Sequence, residues 1–338
     1  MSRRTGSQLA SKSGPALKPG RVALLSLLVA VSGCYELSRS EIRSHTESAV
    51  RQSNDDMSAL RQVDPALVKY QQVSQIATGF DEPRGIAVTF GEAASLYAVG
   101  DSGLRVFDAQ GHCNYQRQLP EPPYAIALGE DETEWIGLRT GIVAYDTKGN
   151  VQAGWTLPGE NAYLTSLVVS GEDVWVGDAG NRVVLHYSKS GDLLGRIGEK
   201  DEGKGVPGLL LPSPHLDVAL GPEQTLIVNN PGRHAVGTYA ADGTLKSTWG
   251  KPSQEIDGFC GCCNPTDIAV LADGRIVTSE KGLPRVKVHN RDGTLESVVA
   301  VPDDFSPKAA GLDLAVDGEG RIYVMDPAAG TVKVFARK

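Results

Sequence analysis

No Gly-x-Ser-x-Gly elbow, phosphate-cradling loop or His-Glu-x-x-His pair occurs in the 338 residues. Their absence removes the usual sequence signals of a serine hydrolase, a nucleotide-binding enzyme and a zinc protease. Long hydrophobic runs are missing as well: the apolar run at residues 22–31, VALLSLLVAV, is ten residues long, half of the about 20 that a membrane-spanning helix needs. Positive charge is scarce. Lysine and arginine number 33 against 41 aspartates and glutamates, and five of the basic residues (Arg3, Arg4, Lys12, Lys18, Arg21) lie before residue 34. Without that leader 28 basic residues face 41 acidic ones, and the net charge moves from −8 to −13. So acidic a surface repels phosphate backbones, which disfavours nucleic acid as a partner.

The leader has its own pattern. Basic residues without an acidic one precede the apolar run, as in the n-region and h-region of a signal peptide. The run ends in Val31-Ser32-Gly33-Cys34, which resembles the bacterial lipobox, in which the cysteine is lipid-modified and becomes the new N-terminus. That resemblance implies a lipoprotein signal peptide over residues 1–33 and lipidation of Cys34; an ordinary signal peptide and an uncleaved anchor are the alternatives. Arg3-Arg4 lacks the apolar residue and lysine that would complete a twin-arginine signal. The membrane anchor would be the lipid, not a polybasic surface. Such a protein belongs to the cell envelope, at the periplasmic face of an outer membrane if the host is Gram-negative, because Tyr35 replaces the aspartate associated with inner-membrane retention. Residues 34–70 are polar, free of glycine and charged in both signs. They suit a tether that stands a domain off the membrane.

From Gln71 onward internal similarity returns every 40 to 51 residues, a repeat that takes precedence over local patterns. The units open with PRGIAV (83–88), PYAIAL (123–128), LTSLVV (164–169), HLDVAL (215–220), PTDIAV (265–270) and GLDLAV (311–316). A second strand follows, such as LYAVGD, VWVGD or IYVMD. A third ends in a ring four positions before a glycine: Phe107 with Gly111, Tyr145 with Gly149, Tyr187 with Gly191, Tyr239 with Gly243, His289 with Gly293; the sixth copy stops at Phe335. Short β-branched and aromatic runs between Gly, Asp and Asn turns predict four-stranded antiparallel units. One such unit cannot cover both of its faces, so six in a circle predict an all-β, six-bladed β-propeller over residues 71–338. The sixth unit lacks a fourth strand. QQVSQIA (71–77) is predicted to supply it beside residues 332–335, closing the ring and removing its exposed edges.

PRGIAV…LYAVGDSGLRVFDAQG, VWVGDAGNRVVLHYSKSG and GLDLAVDGEGRIYVMDPAAGTVKVF resemble NHL repeats, over about residues 76–338. The segment GCCNP…TSEKGLPRVKV is similar to one in exported bacterial NHL proteins. The resemblance implies a six-bladed propeller in a family of scaffolds, sensor domains and a few enzymes, and fold alone does not choose among them. Peptidyl-amidating lyases, also NHL propellers, hold zinc with several channel histidines. Here only His215 and His234 are expected to face the same side as the channel mouth, too few for that set. His289 takes a slot filled elsewhere by Phe or Tyr, so core packing is expected of it.

In this architecture the chain passes from the outer strand of one blade to the inner strand of the next on one face, the top, so residues before each inner strand are expected around the channel mouth. Cys260, Cys262 and Cys263 fall in the connection to blade five. Nearby thiols tend to pair in an oxidising envelope, and adjacent Cys262 and Cys263 would close a strained eight-membered ring. Three thiolates would instead suit copper(I), zinc or iron, although C-x-C-C is not a paired C-x-x-C framework. Alignment of the units also puts Asp217, Asp267 and Asp313 at one position, where the other units carry Gly85, Ala125 and Ser166. Converging carboxylates suit a hard cation such as calcium, as in six-bladed enzymes resembling gluconolactonases and phosphotriesterases. The other reading is that they accept hydrogen bonds from turn amides. Glu280, Lys281 and Arg285 are expected with His215 and His234 on the top-face rim, either solvated or lowering the pKa of a neighbouring thiol.

These readings converge on a lipid-anchored envelope propeller, expected to be a monomer. Its top face would bind a protein partner or a small ligand, with the cysteine loop as a redox or ligand site and no catalytic residue assigned. The alternative is a metal-dependent enzyme or electron-transfer accessory: lactonase-like with an ion at the aspartates, or carrying a metal on the cysteines.

Overall fold

The computed structural model describes residues 58–90 and 94–338; the expected signal peptide, Cys34 and the expected tether up to residue 57 lie outside the described residues. Six four-stranded antiparallel sheets follow one another along the chain, one for each repeat unit. Their inner strands are Pro83–Val88, Pro123–Leu128, Leu164–Ser170, Val218–Leu220, Asp267–Val270 and Asp313–Val316.

Local chemistry sets each blade's shape. The ring residues Phe107, Tyr145, Tyr187, Tyr239, His289 and Phe335 are all buried, and in five blades the glycine four positions on adopts a positive φ, from 84 to 94°. That backbone region favours glycine and closes the turn to the outer strand. In blade five the requirement is doubled, because a Cβ on Gly293 would stand 2.4 Å from the indole of Trp249 in blade four.

Packing between blades supplies the core. Six apolar clusters fill the six seams. Leu104 and Ile126 meet between blades one and two, Leu164 and Ile142 between two and three, and Trp175 and Leu216 between three and four. Phe259 and Ile268 sit between four and five, Val286 and Leu314 between five and six. The last cluster, joining Ile86 of blade one to Met325 of blade six, includes Ile76. That residue belongs to Tyr70–Ala77, which pairs antiparallel with Thr331–Arg337, Ile76 opposite Val332. The N-terminal strand therefore closes the ring as the repeat count requires.

The closure begins earlier than the predicted boundary. Val68 bridges Val298 on the outer strand of blade five, and Lys69 pairs with Glu296 at 3.1 Å. This cover explains why that outer strand, Leu295–Ala300, is largely buried while those of blades one and two are mostly exposed. Among the described residues no helix is long and apolar enough to cross a membrane.

Candidate binding site at the channel mouth

The inner strands surround a channel with two chambers. The upper one, about 320 Å³, opens at the top among Tyr124, Tyr163, His215 and Asp267. A lower chamber of about 650 Å³ runs between the strands to Phe90, Glu130 and Glu132. Arg84, Tyr124, Thr165 and Asp313 line both and mark the waist.

The two walls differ in chemistry. On the side of blades one to three, the Arg84 guanidinium lies 4.4 Å over the Tyr124 ring, Tyr124 meets Tyr163 edge-on at 5.4 Å, and Arg139 covers Tyr163 at 5.1 Å. Glu82 holds Arg84 from outside at 2.8 Å. Cation–π and edge-on contacts of this kind order long side chains around a cavity.

Opposite stand His215 and the three aligned aspartates. Each aspartate accepts an amide from the next blade: Asp217 from Ile268 at 2.7 Å, Asp267 from Leu314 at 3.0 Å, and Asp313 from Ile86 at 2.6 Å. Ser166 does the same for Val218 at 3.0 Å. The belt lapses at blades one and two, where Gly85 and Ala125 offer no acceptor. A Cβ on Gly85 would lie 3.2 Å from the Cα of Ala125, so the inner strands approach closely there.

This belt has an electrostatic consequence. Burial raises the Asp217 pKa to about 6, and burial followed by the Asp217 charge raises Asp313 to about 7. Asp267, flanked by both, is pushed well above the ordinary carboxylate range, by burial first. Like charges held so close do not all ionise, and the cluster retains protons near neutrality. Both Asp217 oxygens are taken by amides, Oδ1 by Val218 at 2.8 Å and Oδ2 by Ile268. Among the described residues no group of three or more His, Cys, Asp or Glu is arranged to hold a metal ion. The geometry follows the amide-accepting reading, except that the donors are strand amides of the neighbouring blade and not turn amides. His215 is held neutral, its pKa lowered to about 4 by burial and by the charge of Lys281.

The cysteine loop sits elsewhere on the top face. None of Cys260, Cys262 and Cys263 lines either chamber; the loop lies over the seam of blades four and five, a correction to its expected place at the mouth. Phe259 is the cause. Its ring, 1% exposed, packs against Trp249 and His289 with the Lys287 ammonium 4.6 Å above it, so the loop is pinned into the seam. Beneath it Glu280 binds Arg285 at 2.8 Å and Lys287 at 2.8 Å and accepts the Cys260 amide at 3.0 Å. Glu280 and Arg285, 0% and 1% exposed, are interior residues, which corrects the expectation of a charged rim.

Lys281 remains at the surface side of this cluster, donating to Ser213 Oγ at 2.8 Å. His234 turns toward the loop, its Nε2 2.6 Å from the Gly261 carbonyl, so of the two expected histidines only His215 lines the mouth. The four described cysteines are all thiols. Burial and then the Glu280 charge push the Cys260 thiol up, contrary to activation by neighbouring charge. His289 is a core residue, as its slot predicts, with Nε2 3.2 Å from Thr278 Oγ1.

Sequence reasoning passed over Arg84, Tyr124, Tyr163 and Lys287. Arg84 and Tyr124 occupy the position just before the aligned aspartates, and extending the alignment by one residue would have found them. Lys287 carried no such signal, since a lysine within VKVH reads as the solvent side of an edge.

No family model and no curated protein sequence matches the chain. Solved structures do match it. Selenomethionine-substituted virginiamycin B lyase from Staphylococcus aureus is 15% identical over 76% of this chain and 82% of its own, with a TM-score of 0.53. The WD40 β-propeller domain of Doa1 is 11% identical over 80% and 97%, with a TM-score of 0.55. A Bacteroides thetaiotaomicron protein of unknown function is 13% identical over 80% and 76%, with a TM-score of 0.58. Identities this low speak to fold alone: the chain is a six-bladed β-propeller, and a WD40 propeller is among the structures it resembles.

Proposed function

We propose that this protein is a binding propeller of the cell envelope, lipid-anchored through Cys34 and related to the NHL-repeat lipoproteins it resembles, which docks a small ligand or a segment of a protein partner on its top face. The observation that carries the reading is the two-sided mouth, with the Arg84–Tyr124–Tyr163 ladder facing His215 and the aspartates across a chamber of about 320 Å³. Apolar rings with a few convergent polar groups are what a binding pocket requires. The cysteine loop, coupled to this region through Lys281 and Ser213, is its redox-sensitive or ligand-contacting neighbour.

The metal-dependent enzyme reading finds no comparable support, because each aspartate gives an oxygen to a strand amide and Asp217 gives both. The test is a thermal-shift screen of the mature protein against amines, amino acids, monosaccharides and organic acids. A stabilising compound whose effect is lost in Tyr124→Ala or His215→Ala supports the mouth as the site. Stabilisation insensitive to both variants, or a stoichiometric metal retained after purification and lost in Asp217→Ala, overturns it. Membrane fractionation of Cys34→Ala checks the anchor: release into the soluble fraction is expected.

A further inference from the structure

The loop over the seam of blades four and five holds two sulfurs together. Cys262 Sγ lies 3.0 Å from Cys263 Sγ; Cys262 is exposed, Cys263 3% exposed. The chain on either side is fixed. Asn264, itself buried, donates to the carbonyls of Cys260 at 2.5 Å and Lys281 at 3.0 Å and accepts the Lys281 amide at 2.9 Å. Phe259 exchanges backbone hydrogen bonds with Lys251 and Ser253, and Lys287 donates to the Gly258 carbonyl at 2.7 Å. An exposed turn free to choose its rotamers would have no reason to keep neighbouring thiols side by side, and this clamp supplies one.

We propose that Cys262 and Cys263 form a thiol–disulfide exchange site whose substrates are small or protein disulfides. Its place on the top face rests on the functional reading above. Cys262, the accessible thiol, loses its proton and attacks one sulfur of the incoming disulfide. That S–S bond breaks and the first thiolate departs with the proton. Cys263, adjacent and shielded, then loses its proton and attacks the Cys262 sulfur, expelling the second thiol and closing the eight-membered ring. Two electrons pass to the substrate, which leaves as two thiols, and a dithiol reductant reverses the sequence. Cys260 takes no part, because it is buried beneath the loop with its amide held by Glu280.

The test uses the mature protein with oxidised glutathione as the probe, quenched by a maleimide and read by peptide mass. Wild-type protein is expected to lose two thiols together, at residues 262 and 263, with no glutathione retained. Cys263→Ser should accumulate glutathione on Cys262, and Cys262→Ser should react at least about tenfold more slowly, since only the accessible thiolate is an efficient nucleophile. Pairing through Cys260 or Cys113, a stable glutathione adduct on the wild type, unchanged kinetics in Cys262→Ser, or no thiol loss would each overturn the proposal. These readouts need no ligand at the mouth, so failure of the docking reading and failure of this one are separable.

Discussion

The Asp217 carboxylate of blade four accepts the Ile268 amide of blade five at 2.7 Å, and Ile268 is buried in the seam between them. The same bond recurs from Asp267 to Leu314 and from Asp313 to Ile86, so half of the ring is tied by a belt of carboxylates. Removing one acceptor leaves a buried strand amide unpaired. Asp217→Ala is expected to cost about 1–3 kcal/mol in urea unfolding at pH 5, and Asp217→Asn less, because its amide oxygen still accepts. Equal stability of Asp217→Ala and wild type would remove the belt from the account of inter-blade cohesion.

The belt also fixes a pH response. Asp313, at about 7, and Asp267, pushed well above the ordinary carboxylate range, bind protons more tightly folded than unfolded. Their contribution is complete below the ordinary carboxylate pKa and is lost as pH rises through the folded value. His215 and His289, lowered to about 4 and about 3, act oppositely: the unfolded chain binds their protons more tightly, so stability gains from them as pH rises to about 6.5. Below that pH the two effects partly cancel. Above it only the carboxylates remain, and stability should decline by about 1–2 kcal/mol between pH 6.5 and 8. Asp267→Asn should flatten that decline; a variant as pH-sensitive as wild type would assign it to other groups.

How much of this could be read from the chain depends on which force set each feature. Ring architecture was legible because six copies of one pattern leave six faces to cover, and the aligned ring residues and glycines mark the same turn in every blade. The closing strand was legible from a missing piece. The aspartates were found by alignment, but their partners were not, since the inter-blade bonds join residues 47, 51 and 227 positions apart. Glu280 and Arg285 were misplaced because a charged pair in a loop reads as solvated. What buries them is Phe259 entering the seam, a contact that no periodicity announces.

That buried cluster gives a sharper test than the belt. Glu280 neutralises one of two buried cations, Arg285 and Lys287, each within 2.8 Å. Its loss leaves two like charges in the interior and frees the Cys260 amide. Glu280→Ala is expected to cost about 3–5 kcal/mol, whereas Lys287→Met, which leaves a neutral Glu280–Arg285 pair, should cost much less. Limited proteolysis adds a local readout: the loop before Asn264 should be cut faster in Glu280→Ala than in Lys287→Met. The reverse order would assign the loop's anchorage to the Lys287 contacts with Gly258 and Phe259 instead.

Closure of the ring is the remaining test. Tyr70–Ala77 covers the edge of Thr331–Arg337 along its whole length and places Ile76 in the seam between blades six and one. Tyr70 lies in the next seam, between blades five and six. Deleting residues 58–77 would expose that edge and open two apolar clusters at once, so the chain should lose its cooperative thermal transition or aggregate through the bared strand. Ile76→Ala is the graded version. It removes part of one core side chain without touching the backbone ladder, at an expected cost of about 2–5 kcal/mol. If both proteins melt like the wild type, the first strand is decoration and the blades close on their own; if Ile76→Ala is destabilised and the deletion fails to fold, the ring depends on joining its two ends.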